Sequence, residues 1–236
     1  MNKIINQTQF LNFGIIEFDC VSSTMIIAKD FNENTVIIAQ SQSNGKGKTN
    51  RLWNSENNGN LYFSFSLNGN NERLDYSQLS FLSGVAMREA ILNFNINNSI
   101  LLKWPNDILI NQKKCCGILL EFDTLSKKLV IGIGVNIKEF PTNVMFNSTS
   151  LLKENIIVEK YELLKEFLKN FDYLFNEWQK TGFSTIREKW INNCYKLGQT
   201  IKVNEKEGVF EDFDKDGTLI LRTIDGVLHI KSGDIF

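Results

Sequence analysis

A single histidine, His229, stands in 236 residues. A Ser-His-Asp relay or a multi-histidine metal site therefore has almost no material, and chemistry must run on lysine, carboxylate, hydroxyl and backbone N–H. Cys20, Cys115, Cys116 and Cys194 show no CxxC spacing, which argues against structural zinc or a disulfide framework and leaves buried free thiols. Cys115 and Cys116 point to opposite faces if they lie in a regular strand. There are two prolines, so Pro105 within "KWPND" is read as placed for its geometry. No stretch approaches the roughly 20 apolar residues of a membrane helix. The start, "MNKIINQTQFLNFGII", breaks its apolar residues with Asn, Gln and Thr, so it lacks a signal-peptide core. The chain is expected to be cytoplasmic. A net charge of −1 supplies no basic field for duplex nucleic acid, and DNA binding is not expected. One local anion site remains compatible with that total.

The length fits one large domain, or one plus a small one. "GIIEFDCV" (14–21) reads as a strand, and "SSTMIIAKDF" (22–31) as a helix with Ser and Thr at its N-cap. "TVIIAQSQ" (35–42) is a β-branched strand. A long polar stretch (43–60) precedes "LYFSFSL" (61–67), which alternates and resumes the sheet. Residues 76–94 carry apolar side chains at helical spacing. Strands follow in 103–122 and 127–137, then an amphipathic helix over 159–180 and a shorter one over 183–193. From about Gly198, "KEG", "DKDG" and "DG" turns punctuate short strands, the texture of a small β-barrel or meander.

Three constellations could carry chemistry. Around "GKGK" (45–48), Gly45 and Gly47 let successive N–H groups turn toward an anion, and Lys46, Lys48 and Arg51 add charge. Taken alone, a solvated basic loop reads as well, and the Walker A pattern is absent. In "KWPNDILINQKKCCGILLEF", Lys103, Asp107 and Lys114 flank apolar runs, and a turn at Pro105-Asn106 could bring them to one cavity. A surface hairpin is the plain alternative. "IGIGVNI" (131–137) reads as an interior strand whose two glycines imply a close approach to the backbone. Asn136 offers a donor and an acceptor at its end, or starts a turn.

The order of these pieces carries more than any one of them. "SST", "Q-x-x-GKGK-x-x-R-x-W", "GNLYFS", "KWPND", "KxxGILLE", "IGIGVNI" and "KSGDI" follow one another over nearly the whole chain. The series closely resembles the biotin protein ligases. The resemblance implies an α+β fold of the class II synthetase-like kind: a catalytic domain over 1–193 with a central mixed β-sheet and helices on one face, and an SH3-like β-barrel over 198–236. It also implies ATP-dependent attachment of biotin to a lysine of a biotin carboxyl carrier protein, such as an acetyl-CoA carboxylase subunit, with Mg2+ accompanying ATP.

Carried over residue by residue, Ser23, Thr24 and Gln42 match positions that hold biotin's ureido ring. Lys46-Gly47-Lys48 matches the phosphate loop "RGR", with Gly45, Arg51 and Trp53 completing that loop. Lys114 matches the lysine of "KxxGIL" that contacts carboxylate and phosphate, with Gly117 beside it. Lys103 and Asp107 match the polar ends of "KWPND", and Asn136 a nucleotide-side position. Catalytic roles fall to Lys114, Lys48, Asp107 and Lys103.

The departures are Met25, where the family's "STN" ends in Asn, and Lys-for-Arg at 46 and 48. Lysine keeps the charge but not the planar bidentate contact. Loop 43–52 is expected to order as a lid over the intermediate. Many members carry an N-terminal helix-turn-helix. This chain starts within the ligase domain, so a repressor role is not expected, and a monomer or homodimer fits equally. Two other readings stand beside this one: a lipoate or octanoate ligase or transferase of the related superfamily, and a non-catalytic ligand-binding regulator.

Overall fold

The structure is a computed structural model describing residues 3–56, 59–69, 75–94, 97–142 and 146–235. Ten secondary elements build the larger sheet and its first layer: β1 (Ile4–Phe10), β2 (Phe13–Val21), α1 (Thr24–Lys29), β3 (Thr35–Gln42), β4 (Leu61–Asn68), α2 (Gln78–Leu92), β5 (Ile100–Lys103), β6 (Asp107–Ile110), β7 (Lys113–Asp123) and β8 (Lys128–Val135). Helices α3 (Lys160–Thr181) and α4 (Ser184–Ile191) follow, then β9 (Thr200–Val203), β10 (Lys206–Phe213), β11 (Leu219–Thr223) and β12 (Gly226–Ile230).

The first eight strands form one mixed sheet in the order β1-β2-β3-β4-β8-β7-β6-β5. Strands β2 and β3 are parallel, which requires a crossover, and α1 supplies it. β1 was not legible from apolar alternation, because this edge strand is exposed along nearly its whole length.

Strand alternation sorts the sheet into two faces. Val36, Ile38, Phe63, Phe65, Ile131 and Ile133 point into the large core. There Phe63 meets Phe167 of α3 at 5.2 Å between ring centres, and Phe65 meets Phe171 at 4.9 Å. Helix α3 buries Leu163, Phe167, Phe171, Leu174 and Trp178 at helical spacing, and a Glu159–Glu162 capping box starts it. Each such aromatic contributes about 1.5–3 kcal/mol of burial. Helices α2, α3 and α4 thus share one face. Ile37, Ala39 and Val130 point the other way and pack with Met25 and Ala28 of α1. This second face holds the site.

Strand β7 carries one departure from regular alternation. Ile108 pairs with Cys116 but Leu109 pairs with Lys114, so Cys115 is an extra residue in a bulge. Cys115 and Cys116 therefore both enter the helix-side core, fully buried, rather than lying on opposite faces. The same bulge turns Lys114 to the face that carries Gly117.

The last four strands form an antiparallel sheet in the order β12-β11-β10-β9. It is an open meander among the described residues, not a closed barrel, and its core runs on into that of the larger sheet. Phe213 stacks on Phe81 at 5.0 Å and meets Trp190 at 5.3 Å. The Trp104 indole Nε1 donates to the Gly217 carbonyl at 2.8 Å. Gly217 has a positive φ of 82°, and a Cβ there would lie 2.3 Å from the Phe81 ring, so both conformation and space require glycine.

Candidate active site

The floor of the site is built from glycines and small residues in register. Ser64 pairs with Gly132 and Tyr62 with Gly134. On the other side of β8, Gly117 pairs with Gly134 and Leu119 with Gly132. A Cβ on Gly134 would lie 2.4 Å from the Trp53 ring, one on Gly117 2.7 Å from it, and one on Gly132 2.6 Å from the Met25 thioether. The glycines of "IGIGV" thus admit two large side chains against the sheet, the close approach their positions implied.

The inner end is polar but uncharged. The Gln42 side-chain carbonyl accepts from the Thr24 backbone N–H at 2.8 Å and from the Thr24 hydroxyl at 3.1 Å. Thr24 and Ser64 share a hydrogen bond at 2.7 Å. The Gln42 amide donates to Ser55 at 2.8 Å, and Ser55 donates to the Trp53 carbonyl. Ser23 precedes α1 but its hydroxyl does not cap the helix. It is fully buried with no hydrogen-bond partner, as is the Trp53 indole N–H. A buried polar group without a partner costs about 1–3 kcal/mol, so both atoms suit a bound acceptor.

The outer end is cationic. The Lys114 ammonium lies 2.6 Å from Asp107, 4.9 Å from the Phe146 ring centre and 5.4 Å from that of Trp53. Lys48 donates to the Gly233 carbonyl at 3.0 Å and sits 5.5 Å from the Trp104 ring centre. Arg51 pairs with Asp234. Lys46 is bound by both oxygens of Glu121, at 2.8 and 3.0 Å. Burial pushes the Lys48 and Lys103 ammonium groups below the ordinary lysine value, against the pull of Asp234 and Asp107 respectively. Burial alone would raise the Asp234 carboxyl, but Arg51, with Lys48 and Lys103, outweighs it and holds that group below the ordinary value. Loop 43–52 contacts Glu121, the C-terminal segment and Trp53.

These groups surround a cavity of about 330 Å3. Ser23, Thr24, Met25 and Gln42 border it at the inner end; Lys46, Gly47, Lys48, Arg51 and Trp53 border it from the loop; Asp107, Lys114 and Gly117 border it from the floor. Three sequence candidates are not among the bordering residues. Gly45 lies beneath the loop, where a Cβ would be 2.5 Å from the Trp53 carbonyl. Lys103 sits behind Asp107, its partner across the β5–β6 hairpin. Asn136 is buried, its amide donating to the Thr149 carbonyl at 3.0 Å and its backbone N–H to that of Cys115. Sequence reasoning assigned no role to Ser64, Phe146 and Asp234, which also border the cavity. A serine inside the apolar run of β4 was the available signal for the first.

An eight-stranded mixed sheet, a pocket with a neutral polar end and a cationic mouth, and a small β domain closing one side define an acyl-activating ligase fold. Residues 17–137 match the biotin/lipoate A/B protein ligase family, and residues 196–236 match the biotin protein ligase C terminal domain. The chain belongs to the biotin/lipoate A/B protein ligase family. It is 30% identical over 214 residues to a biotin–[acetyl-CoA-carboxylase] ligase of Paracoccus denitrificans, covering 85% of this chain and 89% of that protein. It is 28% identical over 247 residues to the bifunctional ligase/repressor BirA of Bacillus subtilis, covering 97% of this chain and 75% of that protein. Among solved structures, the biotin protein ligase from Aquifex aeolicus in complex with biotin and ATP superposes with a TM-score of 0.82 at 28% identity, over 94% of this chain and 97% of that one.

Proposed function

We propose that this protein activates biotin as biotinyl-5′-AMP and transfers it to a lysine of a biotin carboxyl carrier domain, such as that of acetyl-CoA carboxylase. The observation that carries the reading is the polarity of the cavity: a buried, unpartnered Ser23 hydroxyl beside Thr24, Gln42 and Ser64 at one end, and Lys114 with Asp107 and the loop cations at the other. A cyclic urea offers the acceptor and donors that the first end needs, and a carboxylate tail reaches the second. A lipoyl dithiolane or an octanoyl chain would leave the buried Ser23 hydroxyl unpaired, which disfavours the rival substrates.

A carboxylate must be activated before an amine can displace anything from it. In the first step a carboxylate oxygen attacks the α-phosphorus, and the bond to the bridging oxygen breaks to release pyrophosphate. Two anions approach one another, and unit charges about 4 Å apart at an effective dielectric near 20 repel by roughly 4 kcal/mol. Lys114 lies where it can neutralise both, oriented by Asp107. Lys48 and Arg51, which border the cavity, would draw in the phosphates, while Lys46 is bound to Glu121. Mg2+ accompanying ATP would shield the phosphate charge. In the second step a neutral carrier lysine attacks the acyl carbon, the C–O bond to AMP breaks, and the amine proton passes toward Asp107 or water. Trp53 and its loop over the glycine floor would shield the anhydride from hydrolysis.

We place this activity in the cytoplasm, where ATP and carrier proteins meet; no helix of the described residues is long and apolar enough to cross a membrane. The test is ATP–pyrophosphate exchange with biotin, lipoate or octanoate, then mass analysis of a carrier domain. Exchange with biotin and a biotinyl mass increment support the proposal. Exchange with lipoate alone, or none at all, would overturn it.

A further inference from the structure

Asp234 reaches the cavity from the second domain, on a segment that is firmly anchored. Ile235 beside it is buried in the core. Asn204, in the β9–β10 turn, donates to the Ser232 carbonyl at 2.6 Å. A Cβ on Gly233 would lie 2.7 Å from Val203 and 2.8 Å from Asn204. The carboxylate is thus delivered to a fixed place. It borders the cavity, pairs with Arg51, and neighbours Lys48 and Lys103 closely enough for their charges to lower its pKa. Lys48 itself donates to the adjacent Gly233 carbonyl. Of the carboxylates beside these cations, Glu121 holds Lys46 and Asp107 holds Lys114. Asp234 is the carboxylate paired with Arg51, and its charge also acts on Lys48.

We infer that Asp234 is a positioning residue acting as a resident counter-anion, which holds Arg51 and Lys48 over the cavity and surrenders them to the phosphates of a nucleotide. The inference rests on the ligase reading for what the nucleotide does, but the competition itself concerns binding alone. The loop has anchors besides Asp234. The Lys46–Glu121 pair, the Gly47 N–H to Arg51 carbonyl bond at 2.8 Å, the Trp53 N–H to Gly45 carbonyl bond at 2.8 Å and the packing of Trp53 on the glycines all hold it separately. Removing the carboxylate therefore frees Arg51 and lifts an attraction on Lys48 while these anchors remain, and an incoming phosphate no longer has to displace an anion.

The test compares Asp234→Asn and Asp234→Glu with the natural protein. The Asp234 side chain is about one-third exposed, with relative accessibility of 30%, and Asn is isosteric; circular dichroism verifies the fold of each. In biotin-dependent pyrophosphate exchange, Asp234→Asn should lower KM for ATP about fivefold with kcat within twofold. The same fivefold gain should appear in calorimetric binding of ATP, with a steeper loss of affinity as salt is raised. Asp234→Glu should stay within twofold of the natural protein. An unchanged or raised KM in Asp234→Asn, or a fall in kcat with KM unmoved, refutes the counter-anion and leaves a structural role. If the natural protein shows no biotin-dependent exchange, the ligase reading fails, while ATP calorimetry on the two variants still decides the competition.

Discussion

A methyl group placed on Gly134 tests whether Trp53 closes the site. In Gly134→Ala the new carbon would fall 2.4 Å from Cε2 and Nε1 of Trp53 and 2.8 Å from Cζ2. Comfortable carbon contacts lie near 3.5–4.0 Å, so the ring must retreat by about 1 Å or more. The sheet cannot yield, because Gly134 is paired on both sides, to Tyr62 and to Gly117. The loop must. Overpacking of this kind costs about 1–3 kcal/mol, which becomes roughly 5–150-fold at one decade per 1.4 kcal/mol. Because the ring borders both the cavity and Lys114, the loss should appear as faster escape of preformed biotinyl-5′-AMP. The melting temperature should move little, since the gain of Ala over Gly in a strand, about 0.5–1 kcal/mol, offsets strain that the loop can shed. A double-mutant cycle makes the attribution: in a Trp53→Ala background the same methyl meets no ring and should cost nothing. Retention equal to the natural protein in Gly134→Ala, or an equal loss in the Trp53→Ala background, would refute the reasoning.

Other perturbations follow from the same geometry. Ser23→Ala removes a buried hydroxyl that bonds nothing in the free protein, so stability should hold or rise while biotin affinity falls about tenfold by calorimetry, the scale of one hydrogen bond; a loss of stability with unchanged affinity would contradict the assignment. Lys114→Ala should lower the rate of adenylate formation about a hundredfold or more, as loss of one preorganised charge does; exchange at the natural rate would remove Lys114 from the mechanism. Lys48→Arg should slow release of the intermediate roughly tenfold through bidentate contact, and unchanged or faster release would assign retention to loop motion.

The pH dependence supplies a fifth check. Burial holds the Lys48 ammonium below the ordinary value of 10.5. On raising the pH the folded protein loses this proton before the unfolded chain does, so the penalty of burying the charge is relieved in the window below 10.5. Attraction for phosphate is lost over that window. KM for ATP should accordingly rise at a pH below 10.5, and Lys48→Arg, which does not titrate, should flatten that limb.

The strands from β2 to β8 and helices α2 and α3 were legible because burial imposes a period on each element separately: two along a half-buried strand, 3.6 along a helix. The residue types of the site were legible as well, since loop lysines and strand glycines stand out against their neighbours. Strand β1 was not, because an edge exposed on both sides has no apolar rhythm. What only the tertiary structure decided is which of these residues meet. The bulge at Cys115 reverses alternation by one residue and aims Lys114 into the cavity, a shift that no period in the chain encodes. Ser23 looked like a helix cap, yet its hydroxyl faces the site unpaired. Asn136 donates its amide to the Thr149 carbonyl, a partner that the local pattern of its strand does not name. Glu121 and Asp234 find Lys46 and Arg51 from 75 and 183 residues away. A local pattern records how deeply each residue is buried; register and domain packing determine the charge it is buried beside.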